Sequence, residues 1–210
     1  MKPILLDLFC GAGGCTKGYQ QGGFYVVGVD DRAQPHYCGD EFYQYDAFEF
    51  LEARDTMPFA VVHASPPCQR YSIETPPDCR ARHPDWIART RYALIKTGKP
   101  FVIENVENAR KLLINPIMLC GSMFDLKVWR HRYFEMSPRP FVLTPPCNHS
   151  FDPILITGSP RRHGSRIEPS TQERRDASEL YWMTRKEMDE AIPPAYTRFI
   201  SHYLLAPLIH

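Results

Sequence analysis

Short apolar runs alternate with amphipathic segments through the first half of the chain. The amphipathic segments predict three helices, one ending near residue 20 and two spanning residues 47–53 and 86–97. The apolar runs predict four buried strands, at residues 4–9, 25–29, 59–63 and 100–103. Strands that alternate with helices are typical of a parallel sheet covered by helices on both faces. We therefore predict an α/β fold with a mostly parallel, doubly wound sheet.

The pattern changes after Ser137. Residues 138–175 are rich in Pro, Gly, Ser and Arg, and they carry one weak strand signal at residues 154–157. Helical spacing returns at Ala177 and continues, with one break, to Leu205. These shifts predict a single domain with a small loop-rich insert. The domain consists of residues 1–136 plus 177–210, and the insert of residues 137–176.

Composition and charge of the 210 residues fit one globular domain. The formal net charge is only +1, so any surface that binds a polyanion has to be local. The apolar runs are too short for a membrane span, and an acid stands where a secretion signal needs apolar residues. Seven cysteines without a tight pairing pattern suit a reducing compartment. We expect a cytoplasmic, monomeric protein with no membrane partner.

A glycine-rich turn follows the first predicted strand. Glycines between a strand and a helix let a ligand approach the backbone, and the helix N-terminus favours an anionic group. Asp30 ends the second strand, where an acid can accept bonds from ribose hydroxyls. The alternative is a purely structural tight turn, and the glycine spacing departs from the standard NAD fingerprint. The turn consists of Asp7, Leu8, Phe9, Cys10, Gly11, Ala12, Gly13 and Gly14.

Two further motifs follow the third and fourth predicted strands. Pro66 and Pro67 restrict the backbone directly before Cys68, which suits the presentation of a nucleophile, although most cysteines are structural. Glu104 and Asn105 follow a buried apolar strand, where a partly desolvated Glu can hold a proton at neutral pH. The alternative for this pair is a solvated strand end. Because parallel strands place their carboxyl ends at one edge, these motifs should converge on one site.

Together the motifs closely resemble those of the DNA cytosine-5 methyltransferase family. The resemblance implies the Rossmann-like fold of S-adenosylmethionine-dependent methyltransferases, in which the domain is catalytic and the insert is a short target-recognition region. It implies catalytic roles for Cys68, Glu104, Asn105, Arg130 and Arg132. It implies cofactor contacts from the glycine turn and from Asp30, Asp31, Asp46, Ala47, Pro66, Ala191 and Ile192.

The resemblance also implies a reaction. Cys68 would add to carbon 6 of a flipped cytosine, and carbon 5 would then take the methyl group of S-adenosylmethionine, leaving S-adenosylhomocysteine. Glu104 would stabilise charge on ring nitrogen 3, and Arg132 would contact the base carbonyl. The nucleophile has to be a thiolate, so positive charge is expected near Cys68, with Arg132 as one source.

The chain departs from the family pattern in three places. Val128 stands where Gln is usual ahead of the paired arginines. Asp31 offers no surface that could pack on adenine, and Glu190 with Ala191 replaces an Asn-Ser pair. These departures concern cofactor affinity and loop support, and they leave the nucleophile and its acid untouched.

Local positive charge marks the surface expected to face double-stranded DNA. Residues 70–99 carry seven Lys or Arg against three acids, and further arginines cluster at residues 158–166. Such arginines contact phosphates and can read guanine edges, although a solvated arginine loop is the alternative. Because the insert is short, we expect a short or relaxed recognition sequence. The expected DNA contacts are Gln69, Arg70, Ser72, Arg161, Arg162 and Arg166.

Other functions compete with this interpretation. An RNA cytosine-5 methyltransferase acting on transfer RNA would use the same scaffold, and a non-catalytic cofactor-binding or DNA-binding module would keep only part of it. An NAD-type oxidoreductase is a more distant alternative, because it leaves Cys68 and Glu104 unexplained. Cys147 and His149 form only half of a zinc ligand set, so no metal ion is expected.

Overall fold

A single sheet runs through the protein. The computed structural model describes residues 1–54, 56, 58–71, 75–80, 82, 85–157 and 168–208. Within them the strands are β1 Ile4–Leu8, β2 Tyr25–Asp30, β3 Glu41–Gln44, β4 Phe59–Ala64, β5 Phe101–Asn105, β6 Ile117–Leu119 and β7 Arg132–Ser137. Their order is β3-β2-β1-β4-β5-β7-β6. β1 to β5 pair in parallel, whereas β7 is antiparallel to both of its neighbours, β5 and β6.

Helices cover both faces of the sheet. In the described chain they are α1 Gly14–Gln21, α2 Ala47–Ala53, α3 Pro77–Arg80, α4 Trp86–Lys96, α5 Thr171–Ser178, α6 Arg185–Glu190 and α7 Pro194–Leu205. Leu5 packs with α1 and α7 on one face, and Leu6 packs with α2 and α4 on the other. Adjacent residues serve opposite faces because side chains alternate along a strand. The result is a three-layered core with the sheet in the middle.

α1 and α7 approach each other closely through small residues. A Cβ on Gly18 would collide with Oγ1 of Thr197, and a Cβ on Gly22 would collide with Oγ of Ser201. The Thr197 hydroxyl also donates to the carbonyl of Cys15 at 2.7 Å. The C-terminal helix is therefore fixed against the helix that follows the glycine turn.

Local capping signals set where several helices begin. Oδ1 of Asp46 accepts from the backbone N–H groups of Phe48 at 2.9 Å and Glu49 at 3.0 Å, which caps α2. Ser170 and Thr184 each form a capping box, at the starts of α5 and α6 respectively. α5 therefore begins six residues before Ala177, where the helical pattern was predicted to return.

The predicted α/β architecture with a mostly parallel sheet is confirmed. The predicted strand at residues 154–157 is wrong, because these residues form neither helix nor strand. Backbone groups there have other partners. The guanidinium of Arg174 donates to the carbonyls of Leu155 and Ile156, both at 2.5 Å, and the N–H of Ile154 donates to the carbonyl of Lys127 at 2.7 Å.

Three strands were not predicted. β3 is a short edge strand, and its four residues alternate in no clear apolar pattern. β6 has only three residues, and β7 carries Arg132 and Glu135 in its short run. We call β6, β7, the connection at residues 120–131 and the segment at residues 138–157 the antiparallel edge. No helix among the described residues is both long and apolar enough to cross a membrane.

Candidate active site

One cleft of about 250 Å³ opens at the carboxyl ends of β1, β2, β4 and β5. Most residues of the glycine turn line it, together with Asp30, Cys68 and Glu104. Arg132 enters the same cleft from the start of β7, and Ile192 enters it just before α7. Antiparallel pairing explains how Arg132 arrives here, because the N-terminal end of β7 lies beside the C-terminal end of β5. The motifs expected to converge therefore share one cavity.

The glycine turn leaves space on its cleft side. Gly11 has a φ of 51°, and a Cβ there would meet no atom within 4 Å. Its N–H donates to Oδ2 of Asp30 at 2.9 Å, which joins the turn to the end of β2. Gly14 is different, because a Cβ there would collide with the carbonyl oxygen of Ile192. The turn is thus closed on the α7 side and open toward the cleft.

Aromatic side chains form a second wall of the cleft. Phe48 stacks on Trp86 with ring centroids 5.4 Å apart and an interplanar angle of 22°. The guanidinium of Arg89 lies 3.8 Å from the centroid of the Phe48 ring, a cation–π contact. Phe48 and Trp86 both line the cleft, next to Asp46 and the glycine turn. A flat apolar surface near an acid suits a planar heterocycle, and it supplies the packing surface that Asp31 lacks.

Cys68 lies on a loop that is fixed to the end of β5. Nδ2 of Asn105 donates to the carbonyl of Pro66 at 2.9 Å, and Oδ1 of Asn105 accepts from the N–H of Val106 at 3.0 Å. The carbonyl of Cys68 accepts from the N–H of Tyr71 at 2.8 Å. Both polar ends of the Asn105 amide are thus engaged, and Nδ2 is the end that holds the loop. Asn105 itself is buried and does not line the cleft.

The expectation that positive charge favours the Cys68 thiolate is met only in part. The charges of Arg132 and Arg130 do lower the pKa of the thiol, but burial raises it by more, and Glu104 adds to the rise. The net pKa therefore lies above the usual range of a cysteine. In this conformation the thiol is the favoured form.

Glu104 and Arg132 form a buried pair beside Cys68. Nε of Arg132 lies 3.1 Å from Oε1 of Glu104, with side-chain exposures of 14% and 6%. The alignment is not that of a hydrogen bond, and Oε1 has no hydrogen-bond partner among the described residues. Burial raises the pKa of Glu104, while Arg132 and a hydrogen bond from Ser65 oppose the rise. Glu104 can therefore hold a proton and still offer an unused oxygen atom.

A chain of buried polar groups continues from Glu104 into the core. Oγ of Ser65 lies 2.9 Å from Nε2 of His63, and Nδ1 of His63 lies 2.9 Å from the hydroxyl of Tyr19. Burial lowers the pKa of His63 to about 3, so this imidazole is neutral. These residues were not predicted from the sequence. A His and a Ser at the end of an apolar strand nevertheless indicate a polar site at that strand end.

Asp7 is a second buried acid in the same cleft. Its Oδ2 accepts from the Thr16 hydroxyl at 2.5 Å, while Oδ1 has no hydrogen-bond partner in the described part of the chain. Burial raises its pKa to about 7, with the negative charges of Asp30 and Glu104 adding to the rise. The floor of the cleft therefore contains two carboxyl groups, those of Asp7 and Glu104, whose pKa values are raised by burial.

Arg130 lies away from the cleft. Its Nη2 donates to the carbonyl of Asp189 at 2.5 Å, and desolvation lowers its pKa to about 9. The hydroxyl of Tyr196 donates to the carbonyl of Arg130 at 2.6 Å, which fixes the backbone. Of the two arginines predicted to face a base, only Arg132 lines the cleft.

Most predicted site residues lie together. Those that line the cleft are Asp7, Phe9, Cys10, Gly11, Ala12, Gly14, Asp30, Asp31, Asp46, Ala47, Pro66, Cys68, Gln69, Glu104, Arg132, Ala191 and Ile192. Those that do not are Leu8, Gly13, Arg70, Asn105 and Arg130. Ser72, Arg161, Arg162 and Arg166 lie outside the described residues. Lining residues that were not predicted include Ser65, Phe48 and Trp86.

Comparison with known families identifies the scaffold. The model of C-5 cytosine-specific DNA methylases matches residues 4–113, more than half of the chain. The chain belongs to this family. The matched range contains the glycine turn, Asp30, Cys68 and Glu104, so the family assignment covers most of the cleft. No curated protein matched the chain.

Solved structures of methyltransferases share the fold. The S. pombe Dnmt2 methyltransferase superposes with a TM-score of 0.64 at 11% identity, covering 100% of both chains. The Entamoeba histolytica methyltransferase EhMeth gives 0.61 at 12% identity, covering 99% of both chains. An E. coli prophage protein described as a DNA modification methyltransferase gives 0.50 at 20% identity over 73% of this chain. The chain spans only 53% of that prophage protein. The predicted Rossmann-like methyltransferase fold is confirmed.

Proposed function

We propose that this protein transfers a methyl group from S-adenosylmethionine to carbon 5 of a cytosine in DNA, with Cys68 as the covalent nucleophile. One observation carries the proposal. A cysteine, a buried carboxyl group with a raised pKa and an open glycine turn all line the same cleft. Family membership supports cytosine as the base, and the pairing of Cys68 with Glu104 supports a covalent route.

The cleft has features that fit the cofactor. Gly11 leaves open space where any side chain would stand, and the N-terminus of α1 favours a carboxylate. Each oxygen of Asp30 accepts one backbone N–H, from Gly11 and Arg32, which leaves lone pairs for ribose hydroxyls. Phe48 and Trp86 provide the wall for an adenine ring. When bound here, S-adenosylmethionine would supply an electrophilic methyl group.

Cys68 would begin the reaction on the base. Its sulfur forms a bond to carbon 6, and the electron pair of the 5,6 double bond moves to carbon 5, which becomes nucleophilic. Because burial raises the pKa of the thiol, its proton has to pass to a water molecule as the base arrives, and Arg132 would stabilise the thiolate at that moment. After methylation, water or hydroxide would take the carbon 5 proton, and its electron pair would restore the double bond and expel the thiolate.

Glu104 would protonate ring nitrogen 3 while Cys68 adds. Burial raises the pKa of the carboxyl group and so favours its protonated form, and the unpartnered Oε1 supplies a hydrogen-bonding atom for the base edge. Arg132, held beside Glu104, is placed to contact the base carbonyl. Asn105 acts indirectly, because it holds the carbonyl of Pro66 and thereby the loop of Cys68.

A cytosine stacked in a duplex does not expose carbon 6, so the target base has to enter the cleft by rotating out of the helix. The cleft lies next to the basic segment that follows Cys68, which would contact the phosphates around the extruded nucleotide. The short insert remains our candidate for sequence recognition, with a short or relaxed context expected.

A covalent trap tests the proposal directly. Duplex DNA that contains 5-fluorocytosine should form a complex with the wild-type protein that resists denaturation, and Cys68→Ala should abolish it. Cys79→Ala is the matched control, because Cys79 is a partly buried cysteine that does not line the cleft. A complex that persists in Cys68→Ala would refute the assignment of the nucleophile.

The substrate is tested by parallel assays. Duplex DNA and transfer RNA are each incubated with the protein and labelled S-adenosylmethionine, and the nucleosides are separated by mass spectrometry. We expect 5-methylcytosine in DNA. Methylation of transfer RNA alone would replace DNA by RNA as the substrate, and sequencing of modified DNA would show whether the context is shorter than about six base pairs.

A further inference from the structure

A second cluster of reactive side chains lies outside the cleft, on the antiparallel edge. Cys120 follows β6, His131 precedes β7, and Cys147 and His149 lie on the segment after β7. One potential ligand atom from each residue lies within 4.8 Å of the other three. Nε2 of His149 is 3.0 Å from Sγ of Cys147 and 3.4 Å from Sγ of Cys120, and Nε2 of His131 is 3.5 Å from Sγ of Cys147. Residues from three separate segments thus meet at one point.

We propose that Cys120, His131, Cys147 and His149 bind one Zn²⁺ ion. Two thiolates and two imidazoles form a ligand set that selects zinc in tetrahedral geometry. Zinc bonds of about 2.0–2.3 Å in a tetrahedron place neighbouring ligand atoms roughly 3.3–3.8 Å apart. Three of the six separations lie near that range, at 3.0, 3.4 and 3.5 Å, and all six lie within 4.8 Å, so the side chains have to draw together around the ion while two thiol protons are released.

Surrounding groups orient the four ligands. The hydroxyl of Ser122 donates to Sγ of Cys120 at 3.2 Å and lies 3.6 Å from Sγ of Cys147. That hydroxyl is itself held by the N–H of Asn148, which donates to it at 3.0 Å. Ser122 therefore links both sulfur atoms to one fixed hydrogen-bond network.

Neighbouring side chains also orient the two imidazole rings. The His149 ring stacks on Trp129 with centroids 4.3 Å apart, and it stacks on His131 at 5.1 Å. Nδ1 of His131 faces Oε2 of Glu107 at 3.9 Å, on the opposite side of the ring from Cys147. A carboxylate behind the non-ligating nitrogen is the usual way in which proteins orient a metal-bound histidine. A disulfide between the two cysteines would need neither imidazole in this position.

The ion would have a structural role. All four positions are protein side chains, which is typical of structural zinc sites. Cys147 and His149 are exposed residues on a segment without helix or strand, and the metal would attach that segment to β6 and β7. His131 also stands directly before β7, so the ion would lie at the start of that strand.

Metal content tests the proposal without any activity assay. The full chain is purified under reducing conditions without chelators, and its zinc is measured by plasma mass spectrometry. Wild type should hold about one zinc per chain, and Cys147→Ser and His149→Ala should lower the content about tenfold or more. Matched controls are Cys79→Ser and His202→Ala, which change a cysteine and an exposed histidine outside the cluster. Both controls should keep the metal.

Several outcomes would overturn the proposal. These are a metal-free wild type with four free ligands, a Cys120–Cys147 disulfide in non-reducing peptide mass spectrometry, a different metal, and variants that retain zinc. Because a ligand variant can fail to fold, Co²⁺ is also added to chelator-treated wild type, where visible absorption bands of a tetrahedral thiolate site are expected. Cys68→Ala should hold zinc as the wild type does, so the zinc site and the methyl transfer can fail independently.

Discussion

The cleft and the antiparallel edge belong to the same sheet, but their functional residues are brought together in different ways. In the cleft, Asp30, Cys68 and Glu104 each lie at or just beyond the end of a parallel strand, and parallel strands end on one side. At the antiparallel edge, the Cys/His cluster takes one residue after β6, one before β7 and two from an irregular segment. Short sequence motifs therefore predict the cleft. The Cys/His cluster can be recognised only from the folded structure.

The largest effect in the cleft is expected from loss of the Glu104 carboxyl group. Glu104→Gln preserves the size of the side chain but cannot supply a proton to ring nitrogen 3. We expect kcat to fall about 10²–10⁴-fold while affinity for S-adenosylhomocysteine changes little. Single-turnover methylation and calorimetric titration measure the two effects. Glu52→Gln, at an exposed acid on α2, is the control and should change neither kcat nor the affinity. A normal kcat in Glu104→Gln would remove Glu104 from the mechanism.

Asp7 gives a test of stability against pH. Because its pKa in the fold is raised to about 7, the native state holds this proton more tightly than the unfolded chain does. The stabilisation is complete below about pH 4 and is lost as the pH rises through about 7. In Asp7→Asn the free energy of unfolding should change less between about pH 5 and pH 8 than in wild type, by about 2–3 kcal/mol.

Urea unfolding at both pH values measures that difference. Asp152→Asn, at an exposed acid, should reproduce the wild-type dependence on pH. If wild type and Asp7→Asn lose stability in parallel, the carboxyl group is ionised throughout and the floor of the cleft is more polar than its burial indicates.

Trp86 tests the aromatic wall. Trp86→Ala removes the ring that stacks on Phe48, so we expect the dissociation constant of S-adenosylhomocysteine to rise about tenfold with kcat nearly unchanged. Tyr92→Ala changes an exposed aromatic residue on the same helix and serves as the control. Equal affinities in both variants would place the adenine ring elsewhere.

The smallest expected effect concerns the independence of the two regions. Cys147→Ser alters the antiparallel edge, of which only Arg132 lines the cleft, so affinity for S-adenosylhomocysteine should stay within about twofold of wild type. Limited proteolysis should meanwhile cut the segment at residues 138–157 faster. A large loss of cofactor affinity would show that the two regions are coupled.

The sequence predicted the cleft well because each of its motifs is local. Gly11 and Cys68 carry their meaning in their immediate neighbours, and the parallel order of strands brings the motifs together. Trp86 was missed because its position opposite Phe48 depends on how α4 packs on α2, which no short pattern encodes. The direction of the Cys68 pKa was also missed, since it depends on how burial compares with the charge of Arg132.

The antiparallel edge was predicted poorly because its contacts join residues that are far apart in the sequence. The zinc ligand set looked half complete because Cys120 and His131 lie on the far side of β7 in the sequence. The strand expected at residues 154–157 has the right residue types, but the buried guanidinium of Arg174 accounts for two of its carbonyls. Side chains from distant segments decided both outcomes.

The tight fit of α7 against α1 has a consequence for synthesis. Gly14 lies against Ile192, and Gly18 lies against Thr197, so the turn that follows β1 is packed by residues that are synthesised much later than the turn itself. A nascent chain that has not yet reached α7 would expose the small residues of α1 and leave the turn unsupported. The ability to bind a nucleoside should therefore arise in one step, when α7 docks, and not gradually as the strands emerge.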